Sequence, residues 1–171
     1  MRGGKTRSFQ IIGHCSMGRI DTRLTELGIE LPSPPPPRAA RIVMAKIAGG
    51  FLFVSGQLPS WNGELRFVGK VGREFDLEAA QAAGRLSALN VLAHARAALA
   101  GDLDRIAEVV SLRGYVNVAP DFIDIAQSVN GASDLMTEVF GAAGAHTRTA
   151  IGVAMMPYNA AIEIEAQFLI G

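Results

Sequence analysis

Apolar residues recur along the chain with two different periods, and these periods predict both strands and helices. An apolar run over residues 51–59 predicts a buried strand, and the Asn-Gly pair at 62–63 predicts a tight turn into another strand around 65–71. Three more strands are predicted at residues 106–118, 147–156 and 161–170. The last two are expected to pair with each other about a short connection that contains Pro157.

Longer segments show the apolar spacing of amphipathic helices. One begins after Asp76, a residue type that caps helix N-termini, and ends near Gly101. A second is expected over residues 120–144, opening at a Pro-Asp pair and closing at a Gly-Ala-Ala-Gly run. A short helix is predicted within residues 19–31, with Gly28 marking its end.

The order of these elements predicts an α+β domain, with a mixed sheet and two helices on one face. The other face of the sheet is expected to carry Arg113, Tyr115, Asn117, Glu163, Glu165 and Gln167. This face is too polar for a dry core and too apolar for free solvent, so we expect it to pack against copies of the same chain.

The chain divides into three zones. Residues 1–16 carry only positive charges and no apolar pattern that could pack on a domain, which predicts a disordered extension or an upstream start codon before Met17. A transit peptide is the alternative. We expect that deleting this segment leaves the melting temperature and the oligomeric state unchanged.

Residues 17–37 are interpreted as the short helix followed by a Pro-rich connector, and residues 38–171 as the compact domain. Five of the eight prolines lie between Pro32 and Pro37, a run that adopts an extended polyproline II conformation. A rigid connector on the domain surface and an SH3-type ligand are the two interpretations of this run.

Composition narrows the classes of function. A chain of 171 residues fits one domain, and its 16 basic and 16 acidic residues balance, which argues against a nucleic-acid partner. No apolar run approaches the roughly 18 residues of a membrane span, so we expect a cytoplasmic protein with no membrane association. A single cysteine, Cys15, excludes an internal disulfide.

Few residues are candidates for chemistry. The histidines His14, His94 and His146 lack the spacing of metal ligands, so no metal site is expected, and no phosphate-binding or nucleophile-elbow motif is present. Arg148 remains, either as a bidentate carboxylate ligand or as an ordinary strand-end arginine. Glu163 remains as a functional carboxylate or as part of a solvated face.

Three segments of the sequence resemble the RidA/YjgF family, also named the L-PSP endoribonuclease family. The segments FVSGQLP and VNGASDLMTEVFG resemble an early strand and the second helix of that family. The most specific is RTAIGVAMMPYNAAIEIEA, in which Arg148, the proline nine residues later and the IEIEA ending keep the family spacing. The segment RLTELGIELPSPPPP further resembles a longer subgroup of the family.

The resemblance implies a chorismate-mutase-like α+β fold with a mixed six-stranded sheet, which assembles as a homotrimer with clefts between subunits. It also implies cofactor-free hydrolysis of enamine or imine intermediates, such as 2-aminoacrylate, to 2-keto acids and ammonia. Arg148 matches the arginine that binds the substrate carboxylate, and Glu163 matches the glutamate that positions the attacking water. Asn130, Ser55 and Gly56 match residues that line the pocket.

The sequence departs from the family pattern at three positions. Ile42 stands where a tyrosine is frequent, Ala150 replaces a cysteine, and His146 replaces a proline. These departures leave two alternatives to the deaminase open: a non-catalytic small-molecule sensor or interaction module, and an endoribonuclease. The zero net charge and scarce aromatic residues weigh against the endoribonuclease.

The predicted hairpin of the last two strands gives a reason for a site shared between subunits. In that hairpin Glu163 lies opposite roughly Ala154, so Arg148 would be on the order of 20 Å away. Two side chains that far apart cannot hold one small substrate, and the glutamate would have to come from a neighbouring subunit.

Overall fold

The structure is a computed structural model that describes residues 17–34 and 41–171. The extension predicted at residues 1–16 and the last part of the Pro-rich connector lie outside the described residues. Within the described residues, no helix combines the length and the apolar character needed to cross a membrane.

The described chain begins with a helix, continues through four strands, and then combines three helices with three strands. The helices are α1 (Arg19–Glu26), α2 (Leu77–Ala98), α3 (Ile125–Ser128) and α4 (Asn130–Phe140). The strands are β1 (Ala45–Ala48), β2 (Phe51–Gln57), β3 (Ser60–Trp61), β4 (Glu64–Leu65), β5 (Ile106–Asn117), β6 (Thr147–Val153) and β7 (Ile162–Ile170). The 3₁₀ turns are Leu103–Arg105, Gly141–Gly144 and Pro157–Asn159.

The main sheet has the order β1-β2-β7-β5-β6, in which β5 and β6 are parallel and all other pairs are antiparallel. Inward side chains such as Leu112, Ile164 and Phe168 are fully buried under the helices, where they share one core with Leu92 and Met136. The predicted α+β fold with a mixed sheet and helices on one face is therefore confirmed.

Across residues 17–34 and 41–171, the main sheet contains five strands rather than the predicted six. The segment around residues 65–71 forms no strand of the main sheet. Glu64–Leu65 pairs with Ser60–Trp61, and further along isolated bridges join Val68 to Ala160 and Val71 to Val118. The chain leaves the extended conformation at Gly69, whose φ of +146° favours glycine, and turns through Lys70, whose backbone N–H donates to Glu74 Oε2 at 2.7 Å.

The predicted pairing of the last two strands is wrong. β5 lies between them, with β6 on one edge and β7 on the other. The helices α3 and α4 connect β5 to β6, and such a connection places the second strand beside the first in parallel. β7 then pairs antiparallel with the free edge of β5.

The predicted helix boundaries at Asp76 and Gly28 are confirmed, whereas the predicted start of the second long helix is wrong. Asp76 caps α2 by accepting the N–H of Ala79 at 2.9 Å, and Gly28 follows α1 at a φ of +63°, as expected. The second long helix begins at Ile125 rather than at residue 120, and Val129 separates α3 from α4. Gly131 packs so closely against α2 that a Cβ would overlap the carbonyl oxygen of Gln81.

The short helix α1 packs directly on the domain. Ile20 is fully buried, and the carboxylate of Asp104 accepts the backbone N–H groups of Arg19 and Ile20 at 2.6 and 2.7 Å. Arg96 on α2 forms an ion pair with Asp21. This helix therefore belongs to the folded unit rather than to a separate arm.

Asn117 was expected on the polar face of the sheet, but it is fully buried. Its amide donates to the carbonyls of Gly69 and Ala160, and its oxygen accepts from Lys70 Nζ at 2.7 Å. Lys70 also donates to the carbonyl of Ala154 at 2.7 Å. These bonds join the loop before α2 to the ends of β5 and β6.

Candidate functional site

Arg148 lies near the start of β6 on the helix-covered face of the sheet. Its register partner is Leu112, which is fully buried, and cross-strand partners share a face. Its Nη1 donates to Asn130 Oδ1 at 2.9 Å and to Ser133 Oγ at 3.1 Å. Both acceptors are on α4 and are separated by one helical turn, so α4 presents them together.

This anchoring leaves one edge of the guanidinium open. Nη1 is directed at α4, whereas Nε and Nη2 of Arg148 have no acceptor among the described residues. The Nε–H and Nη2–H groups are parallel donors, which match the two oxygens of a carboxylate. The Arg148 side chain is exposed, so an anion can reach this fork.

His146 extends the cluster on the other side of Ser133. Its Nε2 is 3.0 Å from Ser133 Oγ, and its Nδ1 is 2.6 Å from the carbonyl oxygen of Gly144. Asn130, Ser133, His146 and Arg148 therefore form one hydrogen-bonded group, the arginine cluster.

Glu163 lies on the opposite face of the sheet. Its neighbours in β7, Ile162 and Ile164, are fully buried toward the helices, so alternation directs the Glu163 side chain away from them. Its register partner on β5 is Tyr115.

The carboxylate of Glu163 lies against the backbone of Gly56. A Cβ at residue 56 would overlap Glu163 Oε1, so the absence of a side chain at Gly56 makes room for the carboxylate. Gly56 lies within an irregularity of the β2–β7 pairing between Val54 and Gln57, next to the exposed Ser55. The structure thus brings Gly56 and Glu163 together, with Ser55 next to Gly56 in the chain, and we call these three predicted site residues the glutamate cluster.

The surroundings of Glu163 favour its neutral form. Partial burial, followed by the nearby negative charge of Glu165, raises the pKa of Glu163 above its ordinary value. Arg113 is paired with Glu165 rather than with Glu163, since its Nη1 lies 2.9 Å from Glu165 Oε1. A carboxyl group tuned in this direction is better suited to exchange protons near neutral pH.

The two clusters do not meet within one chain. Tyr115 is in register with both Ile151 and Glu163, and Arg148 lies three positions before Ile151 on the far side of β5. The two sites are therefore about 10 Å apart along the strands and about 10 Å across them, or roughly 14 Å in all. The separation of about 20 Å expected from the hairpin was wrong, because β6 and β7 do not pair.

The sheet itself is the stronger barrier between the clusters. Arg148 projects on the helix side and Glu163 on the open side, so one small molecule cannot contact both within one chain.

Sequence reasoning did not identify Ser133 as part of the site and treated His146 only as a departure from a pattern. A signal for both was present in their spacing. Asn130 and Ser133 are three apart on a helix, and His146 and Arg148 are two apart in an extended segment. Each pair therefore shares a face of its element, and the two faces point at each other.

Two other departures from the family pattern have clear positions. Ile42 precedes β1 and is 54% exposed, so it presents an apolar side chain to solvent in the isolated chain. Ala150 is half-buried and in register with Gly114 on β5. Among the described residues, no group of three His, Cys, Asp or Glu side chains could hold a metal ion.

Comparisons with known proteins identify relatives along most of the chain. Residues 21–167 match the family model described as "YjgF/chorismate_mutase-like, putative endoribonuclease". Protein TCP17 of Trypanosoma cruzi is 43% identical over 150 residues, which cover 87% of this chain and 92% of that protein.

Two solved structures are similar in both sequence and fold. The protein Atu1372 of Agrobacterium tumefaciens, whose function is unknown, is 44% identical with a TM-score of 0.82, over 90% of this chain and 93% of its own. A "putative endoribonuclease" of Shewanella oneidensis is 32% identical with a TM-score of 0.84, over 88% of this chain and 99% of its own.

Proposed function

We propose that this chain, which belongs to the YjgF/chorismate mutase-like family, is an imine deaminase. This family is the RidA/YjgF family that the C-terminal motif resembles. The proposed reaction is hydrolysis of enamine or imine intermediates of the 2-aminoacrylate type to 2-keto acids and ammonia. The observation that carries this proposal is the guanidinium of Arg148, which is anchored at Nη1 and open at Nε and Nη2.

Arg148 binds the substrate carboxylate in this proposal. Two parallel charge-assisted hydrogen bonds fix both the position and the plane of the carboxylate. The imine carbon is directly attached to the carboxylate carbon, so this contact also fixes the carbon that water attacks. Holding the reacting carbon in place supplies several kcal/mol of the rate enhancement without any cofactor.

Glu163 acts on the water and on the leaving nitrogen. Its carboxylate takes a proton from water as the oxygen bonds to the imine carbon, and the electron pair of the C=N π bond moves to nitrogen. The carboxyl group returns this proton to the nitrogen, which gives a neutral carbinolamine. The carboxylate then takes the remaining hydroxyl proton as the C=O bond forms and passes it to the nitrogen as the C–N bond breaks and ammonia leaves. The sum is imine plus water to keto acid plus ammonia. The raised pKa of Glu163 supports this dual role.

The two clusters come together only if different subunits supply them. We therefore propose a homotrimer in which the arginine cluster of one subunit faces the glutamate cluster of the next. The open face of the sheet supports packing against a copy of the chain, because it exposes Phe53 and Ile151 by 39% and 49% beside charged side chains. An apolar surface of this kind favours burial in an interface.

Product release tests the proposed activity. 2-Aminoacrylate is generated continuously in the presence of an amine that traps it, and pyruvate and ammonia are both measured. We expect the protein to increase both products equally above the spontaneous rate, and the Arg148→Ala variant to give the spontaneous rate. No increase by the folded parent protein would contradict the proposal.

The same purified protein can also be tested for the two alternative functions, the non-catalytic sensor and the endoribonuclease. Pyruvate binding without turnover would favour the non-catalytic sensor. Cleavage of an RNA substrate that survives Arg148→Ala would favour the endoribonuclease named in the family description. Because the basic and acidic residues balance at 16 each, we expect no RNA cleavage.

A further inference from the structure

We propose that His146 is a positioning residue of the carboxylate site, which acts through Ser133 to fix the guanidinium of Arg148. This inference rests on the proposed function, because it concerns how Arg148 binds a carboxylate. It assigns a role to a histidine that stands where the resembled family pattern has a proline. A proline side chain could not accept a hydrogen bond at this point.

The hydrogen bonds of the arginine cluster run in one direction. The carbonyl of Gly144 can only accept, so Nδ1 of His146 carries the proton, and Nε2 of the neutral ring is an acceptor. The hydroxyl of Ser133 therefore donates to Nε2 and keeps its lone pairs for Nη1–H of Arg148. The three donors that link these residues, His146 Nδ1–H, Ser133 Oγ–H and Arg148 Nη1–H, therefore each have an acceptor.

The backbone holds the relay in place. Gly144 ends a 3₁₀ turn that packs on α4, where a Cβ at residue 144 would overlap the carbonyl oxygen of Met136. Its carbonyl is therefore fixed relative to α4, and so is the imidazole that binds it. Ser133 is also on α4, so both ends of the His146–Ser133 bond belong to one packed unit.

Without His146, the hydroxyl of Ser133 has a competing partner. A serine inside a helix can donate to the carbonyl four residues earlier, which here belongs to Val129. Rotation toward Val129 would move the lone pairs of Ser133 away from Arg148. The exposed guanidinium would then keep only Asn130 as an anchor, and binding a carboxylate would require more ordering of its side chain.

A double-mutant cycle on pyruvate binding tests this role. Pyruvate is the probe because it carries the carboxylate and does not react. Its dissociation constant is measured by calorimetry for Ser133→Ala, His146→Ala and the double variant, with melting temperatures to confirm folding. Thr137→Ala is the matched control, because it removes a hydroxyl one turn further along α4 that donates only to the carbonyls of Ser133 and Asp134.

We expect each single variant to weaken pyruvate binding roughly tenfold, and the double variant to be no weaker than either single variant, because both break the same relay. His146→Gln should bind within about twofold of the parent, since its amide oxygen can accept from Ser133. Thr137→Ala should bind like the parent. In turnover, His146→Ala should raise KM more than it lowers kcat, whereas a general loss of stability would lower kcat through loss of folded protein and leave KM unchanged.

Other results would overturn the inference. His146 does not act through Ser133 if the double variant weakens pyruvate binding by the product of the two single effects. The same conclusion follows if His146→Ala binds pyruvate like the parent. The Arg148→Ala variant distinguishes this failure from failure of the proposed function. If Arg148→Ala loses binding while His146→Ala does not, the proposed function stands and the positioning role falls. If Arg148→Ala binds pyruvate like the parent, both fall.

Discussion

Replacing Arg148 by lysine should lower kcat/KM for imine hydrolysis roughly 100-fold while the protein stays folded. Lysine keeps the positive charge but has a single nitrogen, which cannot bind Asn130 and Ser133 and also present two parallel donors to a carboxylate. Steady-state kinetics on a 2-iminobutanoate-type substrate, with the melting temperature measured in parallel, gives the result.

Arg66→Lys is the matched control for that substitution. Arg66 is exposed and pairs with the exposed Glu64 beside β4, away from both clusters. An exposed ion pair contributes little, so activity and stability should match the parent. If Arg148→Lys retained activity within twofold of the parent, Arg148 would not be the carboxylate ligand.

Changing Glu163 to glutamine should reduce kcat by about 10²- to 10⁴-fold and leave pyruvate binding nearly unchanged. Glutamine has almost the same shape as glutamate but cannot take a proton from water. The loss should therefore appear in kcat rather than in KM. Parent-like kcat in this variant would exclude Glu163 as the general base.

The same substitution should stabilise the protein at neutral pH. A carboxyl group whose pKa is raised by folding favours folding when protonated, and this contribution is lost as pH rises through the raised pKa. Glutamine is neutral at every pH and avoids that loss. The melting temperature of Glu163→Gln should therefore exceed that of the parent at pH 7, and the difference should shrink to zero below about pH 4.

The pH profile of kcat provides an independent check. Activity requires the ionised carboxylate of Glu163. The acidic limb of the pH profile should therefore lie at higher pH than the range in which an ordinary glutamate titrates. Glu165→Gln removes the neighbouring negative charge that helps to raise the pKa of Glu163, so it should move this limb to lower pH. An unchanged limb would show that Glu163 does not control it.

Much of the fold follows from local patterns in the sequence. Asp76 and Gly28 mark helix ends because capping and left-handed backbone depend on the residue type at a single position. Strand order is different. Alternation shows that β6 and β7 each have a buried face, but the choice of β5 as their common neighbour depends on contacts between distant segments.

The site was predictable only where the resemblance supplied it. The strand pattern alone does not distinguish a functional residue from an ordinary surface residue. Arg148 and Glu163 fit either interpretation of that pattern. The structure adds the division into two clusters, since the register places Arg148 with Leu112 and Glu163 with Tyr115. It also explains Gly56, whose missing side chain leaves space for the carboxylate of Glu163.

We propose that each active site combines the arginine cluster of one subunit with the glutamate cluster of another. Two inactive variants, Arg148→Ala and Glu163→Ala, are mixed in equal amounts, denatured and refolded together. Each refolded alone, and the double variant refolded alone, serve as controls. Native mass spectrometry confirms that mixed trimers have formed.

Imine hydrolysis by the mixed trimers is the decisive measurement. In a ring of randomly assembled subunits, about one quarter of the sites receive an intact Arg148 from one subunit and an intact Glu163 from the next. We therefore expect the mixed trimers to recover about one quarter of the parent activity, with none in the controls. Confirmed mixed trimers without any activity would contradict the shared site.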